Sequence, residues 1–123
     1  MVEFVARRAR QAKLAKVYPY AAVTKRLAGE DLAELGLLKA AGAVAFTDGA
    51  KALASARVMR RALAYAQAFE ALIVQHPEEP TLAEGGDMNE GPIASRLGLA
   101  GIPAAAEVMM VERDLRLLEL TGG

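Results

Sequence analysis

Residues 43 to 49 read AVAFTDG, a short apolar run that ends in a polar turn. The apolar residues are continuous rather than alternating, so the run predicts a strand over Ala43 to Thr47 that is covered on both faces. A second continuous apolar run predicts a similar strand over Ala71 to His76. Upstream, β-branched and aromatic residues predict a strand over Val17 to Val23, in which Pro19 cannot donate a hydrogen bond to a neighbouring strand.

Segments of helical periodicity lie before and between these strands. Apolar residues recur at helical spacing over Val2 to Leu14, Asp31 to Ala41 and Ser55 to Glu70. On the third of these helices, the pattern predicts that the buried residues are Met59, Ala62, Leu63, Ala66 and Phe69.

After the last strand, a segment rich in proline and glycine predicts a loop over Pro77 to Gly91. A short helix is predicted near Pro92 to Leu97 and a longer one from Pro103 to Leu120, with proline in its first turn. The longer helix is predicted to turn an apolar stripe towards the core, formed by Val108, Val111, Leu115 and Leu118.

The alternation of helices and buried strands predicts an α/β fold with about three parallel strands and flanking helices. Such a set accounts for less than half of the roughly 250 residues of an eight-stranded βα barrel. We therefore expect residues 1–123 to be a single segment of a larger (βα) TIM-type barrel, one that starts inside a helix and stops just before a strand.

Composition narrows the classes of function. The chain has 123 residues, with 15 Lys and Arg against 15 Asp and Glu. Because the charges balance, a surface that binds nucleic acid or an anionic membrane is not expected. Cysteine is absent, which excludes disulfides, thiolate catalysis and cysteine-based zinc motifs. No apolar run reaches the length of about 18 residues that a membrane span needs, and the amino terminus does not resemble a secretory signal. These features predict a soluble cytoplasmic protein.

Polar residues follow each predicted strand, where the functional groups of parallel βα folds lie. They are Thr24-Lys25-Arg26, Thr47-Asp48-Gly49 and His76-Pro77-Glu78-Glu79. His76 is the only histidine, and Asp48 occupies the equivalent place one unit earlier, so the two residues are candidates for a shared metal or acid/base site. Two alternatives stay open: a structural or solvated His76, and an Asp48 that only forms a turn with Gly49. Because a catalytic zinc takes three protein ligands, other ligands would have to come from outside this chain.

Four local strings are similar to the middle of dihydroorotases, in the same order and spacing. They are AVAFTDG at 43–49, VQHPEE at 74–79, MNEGPIASRLGLAGIPAAAE at 88–107 and ERDL at 112–115. The resemblance implies an amidohydrolase-type βα barrel that interconverts dihydroorotate and carbamoyl aspartate in pyrimidine biosynthesis, with one or two zinc ions. It also implies that the 123 residues are an internal segment of a longer chain.

The resemblance assigns roles to particular positions. His76 matches the metal-binding histidine of the family's His-Ala-Glu-Asp or His-Cys-Glu-Asp string, which implies a zinc ligand; Pro77 and Glu79 depart from that string. The family's second-strand motif is Phe-Ser/Thr-Asp-Asp-Gly, and its second aspartate is a ligand. The ungapped register places Asp48 at the first aspartate and Gly49 at the ligand, so Asp48 is a metal ligand only if the strand shifts by one residue.

The resemblance leaves more than one function open. The family's His-x-His pair would lie before Met1, a further histidine after Gly123, and the catalytic aspartate is also absent, so the isolated chain is expected to be inactive and prone to self-association. The departures from the family motifs at Gly49, Pro77 and Glu79 also suit a non-catalytic dihydroorotase-like subunit that scaffolds aspartate transcarbamoylase. A third hypothesis is an unrelated small βα module that binds an anion through Lys25 or Arg26.

Overall fold

A computed structural model describes residues 1–122, so the predicted end of the segment at Gly123 lies outside the described residues. The helices are α1 (Val2–Ala12), α2 (Leu35–Ala40), α3 (Ala56–Gln67), α4 (Pro80–Ala83), α5 (Pro92–Leu97) and α6 (Ala105–Thr121). The strands are β1 (Tyr20–Ala21), β2 (Ala45–Phe46), β3 (Leu72–Ile73), β4 (Met88–Asn89) and β5 (Gly101–Ile102). A 3-10 turn, Lys25–Leu27, follows β1.

The first three strands form one parallel sheet in chain order, with β2 in the centre. Ala45 pairs with Tyr20 on one side and with Leu72 on the other. This arrangement confirms the prediction of an α/β fold with three parallel strands and flanking helices. Within residues 1–122 the sheet does not close on itself, so the TIM-type barrel stays a prediction about a longer chain.

The strands are shorter than predicted, and the hydrogen bonds around β1 show where its regular pairing ends. Backbone hydrogen bonds continue the β1–β2 pairing, from Val44 N to Pro19 O at 3.0 Å and from Thr47 N to Ala21 O at 2.8 Å. Val23 N instead donates to a side chain on the neighbouring strand end. Regular pairing therefore stops after two residues, and Val23 lies in a bend.

The core lies between this sheet and the helices that follow its strands. Its largest fully buried side chains are Phe46, Leu35, Met59, Val23 and Thr24. Ser55 caps α3 by accepting a hydrogen bond from Val58 N. The predicted core positions Met59, Ala62 and Ala66 are confirmed as buried, whereas Phe69 is 40% exposed because α3 ends before it, at Gln67.

The predicted inward stripe of α6 is wrong. All four of its residues, Val108, Val111, Leu115 and Leu118, are at least 37% exposed. The helix packs mainly against α3, and its buried residues are Ala106 and Met110. Arg113 and Asp114 lie half-buried on the inward side, where Asp114 accepts a hydrogen bond from Gln75 and Arg113 donates one to the Leu53 carbonyl.

The segment predicted as one loop, Pro77 to Gly91, contains both α4 and β4. Glu79 caps α4 and Pro80 occupies its first turn, a favourable position because that turn has no use for the missing N–H. The strands β4 and β5 form a second, separate parallel sheet of two strands. In the part of the chain that the structure describes, no helix has the length and apolar character needed to cross a bilayer.

Candidate functional site

Asp48 joins the ends of β1 and β2. It lies two residues after the end of β2 and is only 4% exposed. Its Oδ1 atom accepts hydrogen bonds from Val23 N and Thr24 N, both at 2.9 Å, and its Oδ2 atom accepts one from the Thr24 hydroxyl. The Thr24 hydroxyl oxygen in turn accepts a hydrogen bond from Gly29 N at 2.9 Å. The carboxylate therefore fixes the turn after β1.

The turn after Asp48 depends on glycine. Gly49 has φ +73°, in the left-handed region, and its N–H donates to the Thr47 hydroxyl at 3.1 Å. A Cβ atom at this position would meet no atom within 4 Å, so the space beside Gly49 is open. The structure supports the interpretation of Asp48 and Gly49 as a turn pair, and a metal role for Asp48 stays a prediction.

His76 lies in a different environment, beyond the end of β3. It is half-buried and lines a cleft of about 190 Å³. Among residues 1–122, neither of its ring nitrogens takes part in a hydrogen bond, so the ring is available to a ligand. Asp48 does not line this cleft, and a site shared by Asp48 and His76 stays a prediction. The cleft is lined by His76, Pro77, Glu78, Asn89, Ile102, Pro103, Ala104, Ala106 and Glu107.

A polar network that the sequence did not predict lies next to His76. The Gln75 side-chain oxygen accepts hydrogen bonds from His76 N and Leu53 N, both at 3.1 Å, and its Nε2 donates to Asp114 Oδ2 at 3.2 Å. Asp114 forms an ion pair with Arg113 at 2.6 Å. Arg113 also donates to the carbonyl oxygens of Leu53 and Ala54, at 2.8 and 2.7 Å. This network connects β3, the loop after β2, and α6.

A second connection between this segment and α6 lies after His76. Glu79 N donates to Ala106 O at 3.0 Å. The Glu79 carboxylate also caps α4, because its Oε2 atom accepts from the Thr81 hydroxyl at 2.6 Å and from Leu82 N at 2.8 Å. The segment that carries His76 is therefore attached to α6 on both sides.

The cap makes Glu79 an acid stronger than usual. The hydrogen bond from the Thr81 hydroxyl, followed by that from Leu82 N, lowers the pKa of Glu79 below its ordinary value of 4.5. Since a depressed pKa stabilises the folded state only while the group is ionised, the contribution of the cap is present above about pH 4.5 and is lost as the pH falls through the lowered pKa. A carboxyl NMR titration is expected to give a pKa of Glu79 below 4.5. Thr81→Val should raise this pKa, because the variant lacks the hydroxyl that donates to the Glu79 carboxylate. An unchanged titration in the variant would contradict the assignment.

The described residues do not make a complete metal site. Across residues 1–122, no group of three or more His, Cys, Asp or Glu side chains is placed to hold a metal ion. A catalytic zinc needs three protein ligands, and here one accessible imidazole, that of His76, stands alone while Asp48 is engaged in hydrogen bonds. Lys25 and Arg26, the candidate anion-binding residues, are exposed on the turn after β1 and do not line the His76 cleft.

The comparison with known proteins covers the whole chain. Residues 1–123 match the family model described as dihydro-orotase-like. The chain belongs to the dihydroorotase-like family. Proteins named dihydroorotase from Syntrophobacter fumaroxidans and Anaeromyxobacter dehalogenans are 51% and 50% identical to it, over 99% and 100% of its length. Another, from Desulfotalea psychrophila, is 52% identical over 88% of the chain.

Membership of the dihydroorotase-like family confirms the resemblance seen in the four strings and excludes the unrelated small βα module. The chain spans about 28% of the length of the relatives from Syntrophobacter and Anaeromyxobacter, and 26% of the one from Desulfotalea. The segment thus corresponds to one part of a dihydroorotase.

Proposed function

We propose that these residues belong to a dihydroorotase, which opens the ring of dihydroorotate to give carbamoyl aspartate, and closes it again, in the cytoplasmic synthesis of pyrimidines. The observation that carries this proposal is the identity of about half of all residues to proteins named dihydroorotase, over essentially the whole chain. The position of His76, accessible in a cleft beyond the end of a parallel strand, supports it, because functional groups of βα folds lie at such ends.

The reaction is the hydrolysis of a cyclic amide. The oxygen of a water molecule bonds to the ring carbonyl carbon and the carbon–nitrogen bond breaks. One proton of the water goes to the nitrogen, and the other is released as the new carboxylic acid ionises. Residues 1–122 contribute one imidazole, at His76, and the frame that holds it. We propose that the remaining groups, including further ligands for zinc, come from other parts of a longer chain, and that the isolated segment is inactive.

The test is the zinc content of the protein made from the longest reading frame that contains this segment, with and without His76→Ala. We expect near-stoichiometric zinc in the parent and a loss of both zinc and at least about a hundredfold of the dihydroorotate turnover in the variant, because even groups that only support a metal ligand cost up to that factor. Glu84→Gln, at an exposed position after α4, is the matched control and should change neither. Full zinc and turnover in His76→Ala would contradict the assignment.

A second candidate is a non-catalytic subunit that scaffolds aspartate transcarbamoylase. The observation that favours it is Gly49, an exposed glycine in open space at the position where the resemblance implies a metal-binding aspartate. The carboxylate of the neighbouring Asp48 accepts hydrogen bonds from three donors, which also favours a structural role for that residue. Zinc-free, well-folded parent protein that forms a complex with aspartate transcarbamoylase would favour this candidate over the enzyme.

Large apolar side chains remain exposed on the segment. Leu72 in β3 is 62% exposed, and the outer side of α6 adds Val108 at 52% and Leu115 at 54%. Such surface is more than a small monomer usually presents to water. We propose that other parts of a longer chain cover it, and that the isolated segment covers it by self-association.

A further inference from the structure

We propose that Gln75, Asp114 and Arg113 are positioning residues for His76: α6 holds the end of β3 through them and so sets where the imidazole stands in its cleft. The inference rests on the proposed function of His76, and it adds three residues to which the comparisons assign no role. None of the three is suggested to touch the substrate.

The Gln75 side-chain oxygen joins two parts of the chain. It accepts hydrogen bonds from two backbone N–H groups that are far apart in sequence, those of Leu53 and His76. One belongs to the loop after β2 and the other to the histidine itself. A shift of the Gln75 amide therefore moves the backbone from which the imidazole projects.

The Gln75 amide has a fixed orientation. Its Nε2 must donate to Asp114 because Asp114 is an acceptor, and this leaves its oxygen for the two N–H groups. Asp114 is itself held by Arg113, through hydrogen bonds of 2.9 and 2.6 Å to one carboxylate oxygen. Both charged side chains are only 19% exposed, and Arg113 uses its other N–H groups on Leu53 O and Ala54 O. Donors and acceptors are thus matched along the whole network.

Helix α6 contacts the His76 segment at two points. Asp114 holds Gln75 before the histidine, and Ala106 O holds Glu79 N after it. These two residues of α6 are eight positions apart, about 12 Å along a helix. A single continuous helix thereby fixes both ends of the segment that carries His76. A network that only closed the core would not need both attachments.

The test reverses the hydrogen bond between Gln75 and Asp114 without changing the size of either side chain. In Q75E, two carboxylates face each other and the bond is lost. In the double variant Q75E/D114N, the amide of residue 114 donates to the carboxylate of residue 75, while its oxygen still accepts from Arg113. The three proteins are compared in the full-length parent by kcat and KM for dihydroorotate and by urea unfolding.

We expect Q75E to lower kcat by about tenfold with KM within about threefold, since supporting residues of a metal ligand typically cost that much. The double variant should recover kcat to within about threefold of the parent. Two results would overturn the inference: a kcat that stays at the parental value in Q75E while stability falls, and a double variant that unfolds like the parent but stays as slow as Q75E.

Hydrogen exchange separates this inference from the proposed function. If the parent does not turn over dihydroorotate at all, the proposed function fails, yet exchange at the backbone amides of Leu53 and His76 can still be measured. We expect at least about tenfold faster exchange at both amides in Q75E and restored protection in Q75E/D114N. Exchange at His76 that is the same in all three proteins would overturn the inference whatever the activity.

Discussion

Replacing Asp48 by alanine is expected to destabilise the fold by about 3 kcal/mol or more. The change leaves the N–H groups of Val23 and Thr24 and the Thr24 hydroxyl without their acceptor in a buried place, and each such loss costs about 1–3 kcal/mol. The measurement is urea unfolding followed by circular dichroism. In small proteins a loss of this size is a large fraction of the total stability.

Asp48→Asn is the matched control. Asparagine keeps one oxygen for the two N–H groups, and its NH₂ can donate to the Thr24 hydroxyl oxygen, so we expect a loss of about 1 kcal/mol. The alternative is that Asp48 serves a metal. In that case chelator-treated protein would lose little stability on either substitution, and zinc content rather than unfolding would separate the variants from the parent.

Phe46→Ala is expected to cost about 3–5 kcal/mol, the range typical of removing a buried aromatic side chain. Phe46 is fully buried in the central strand, and its carbonyl accepts a hydrogen bond from Val74 N on the way to His76. The cavity would therefore lie beneath both strand ends that carry Asp48 and His76. Unfolding by urea or heat measures the effect.

Two controls fix the interpretation of the Phe46 result. Phe46→Leu keeps most of the apolar volume and should cost clearly less than the alanine variant. Leu37→Ala, at a side chain that is 72% exposed, should change the free energy of unfolding by about 0.5 kcal/mol or less. Equal losses for Leu37→Ala and Phe46→Ala would show that the core does not lie where the structure has it.

The sequence predicted the parts of the fold that depend on local composition. The continuous apolar runs at residues 43–47 and 71–76 correctly indicated parallel strands. The expected cover on both faces is wrong for residues 1–122, where Val44 is 48% and Leu72 is 62% exposed. The periodicity of α3 likewise found Met59, Ala62 and Ala66. Strand lengths were overestimated, since periodicity cannot show that Val23 N bonds to the Asp48 carboxylate instead of a neighbouring strand.

The polar contacts of the candidate site could not be predicted from the sequence, for a related reason. Arg113 and Asp114 are charged, and charged residues mostly lie in water, so the periodicity of α6 favoured Val111 and Leu115 as the inward residues. Arg113 and Asp114 face inward instead because each has a hydrogen-bond partner distant in sequence. Asp114 accepts from Gln75, and Arg113 donates to the Leu53 carbonyl. The role of Asp48 in holding Thr24 depends in the same way on the packing of two strands.

The two attachments between α6 and the His76 segment limit how this part of the chain can change in length. A single residue inserted between Ala106 and Asp114 would rotate one attachment by about 100° relative to the other and shift it by about 1.5 Å along the helix. Both hydrogen bonds could not then form together. Insertions and deletions should therefore be absent from this stretch in related proteins.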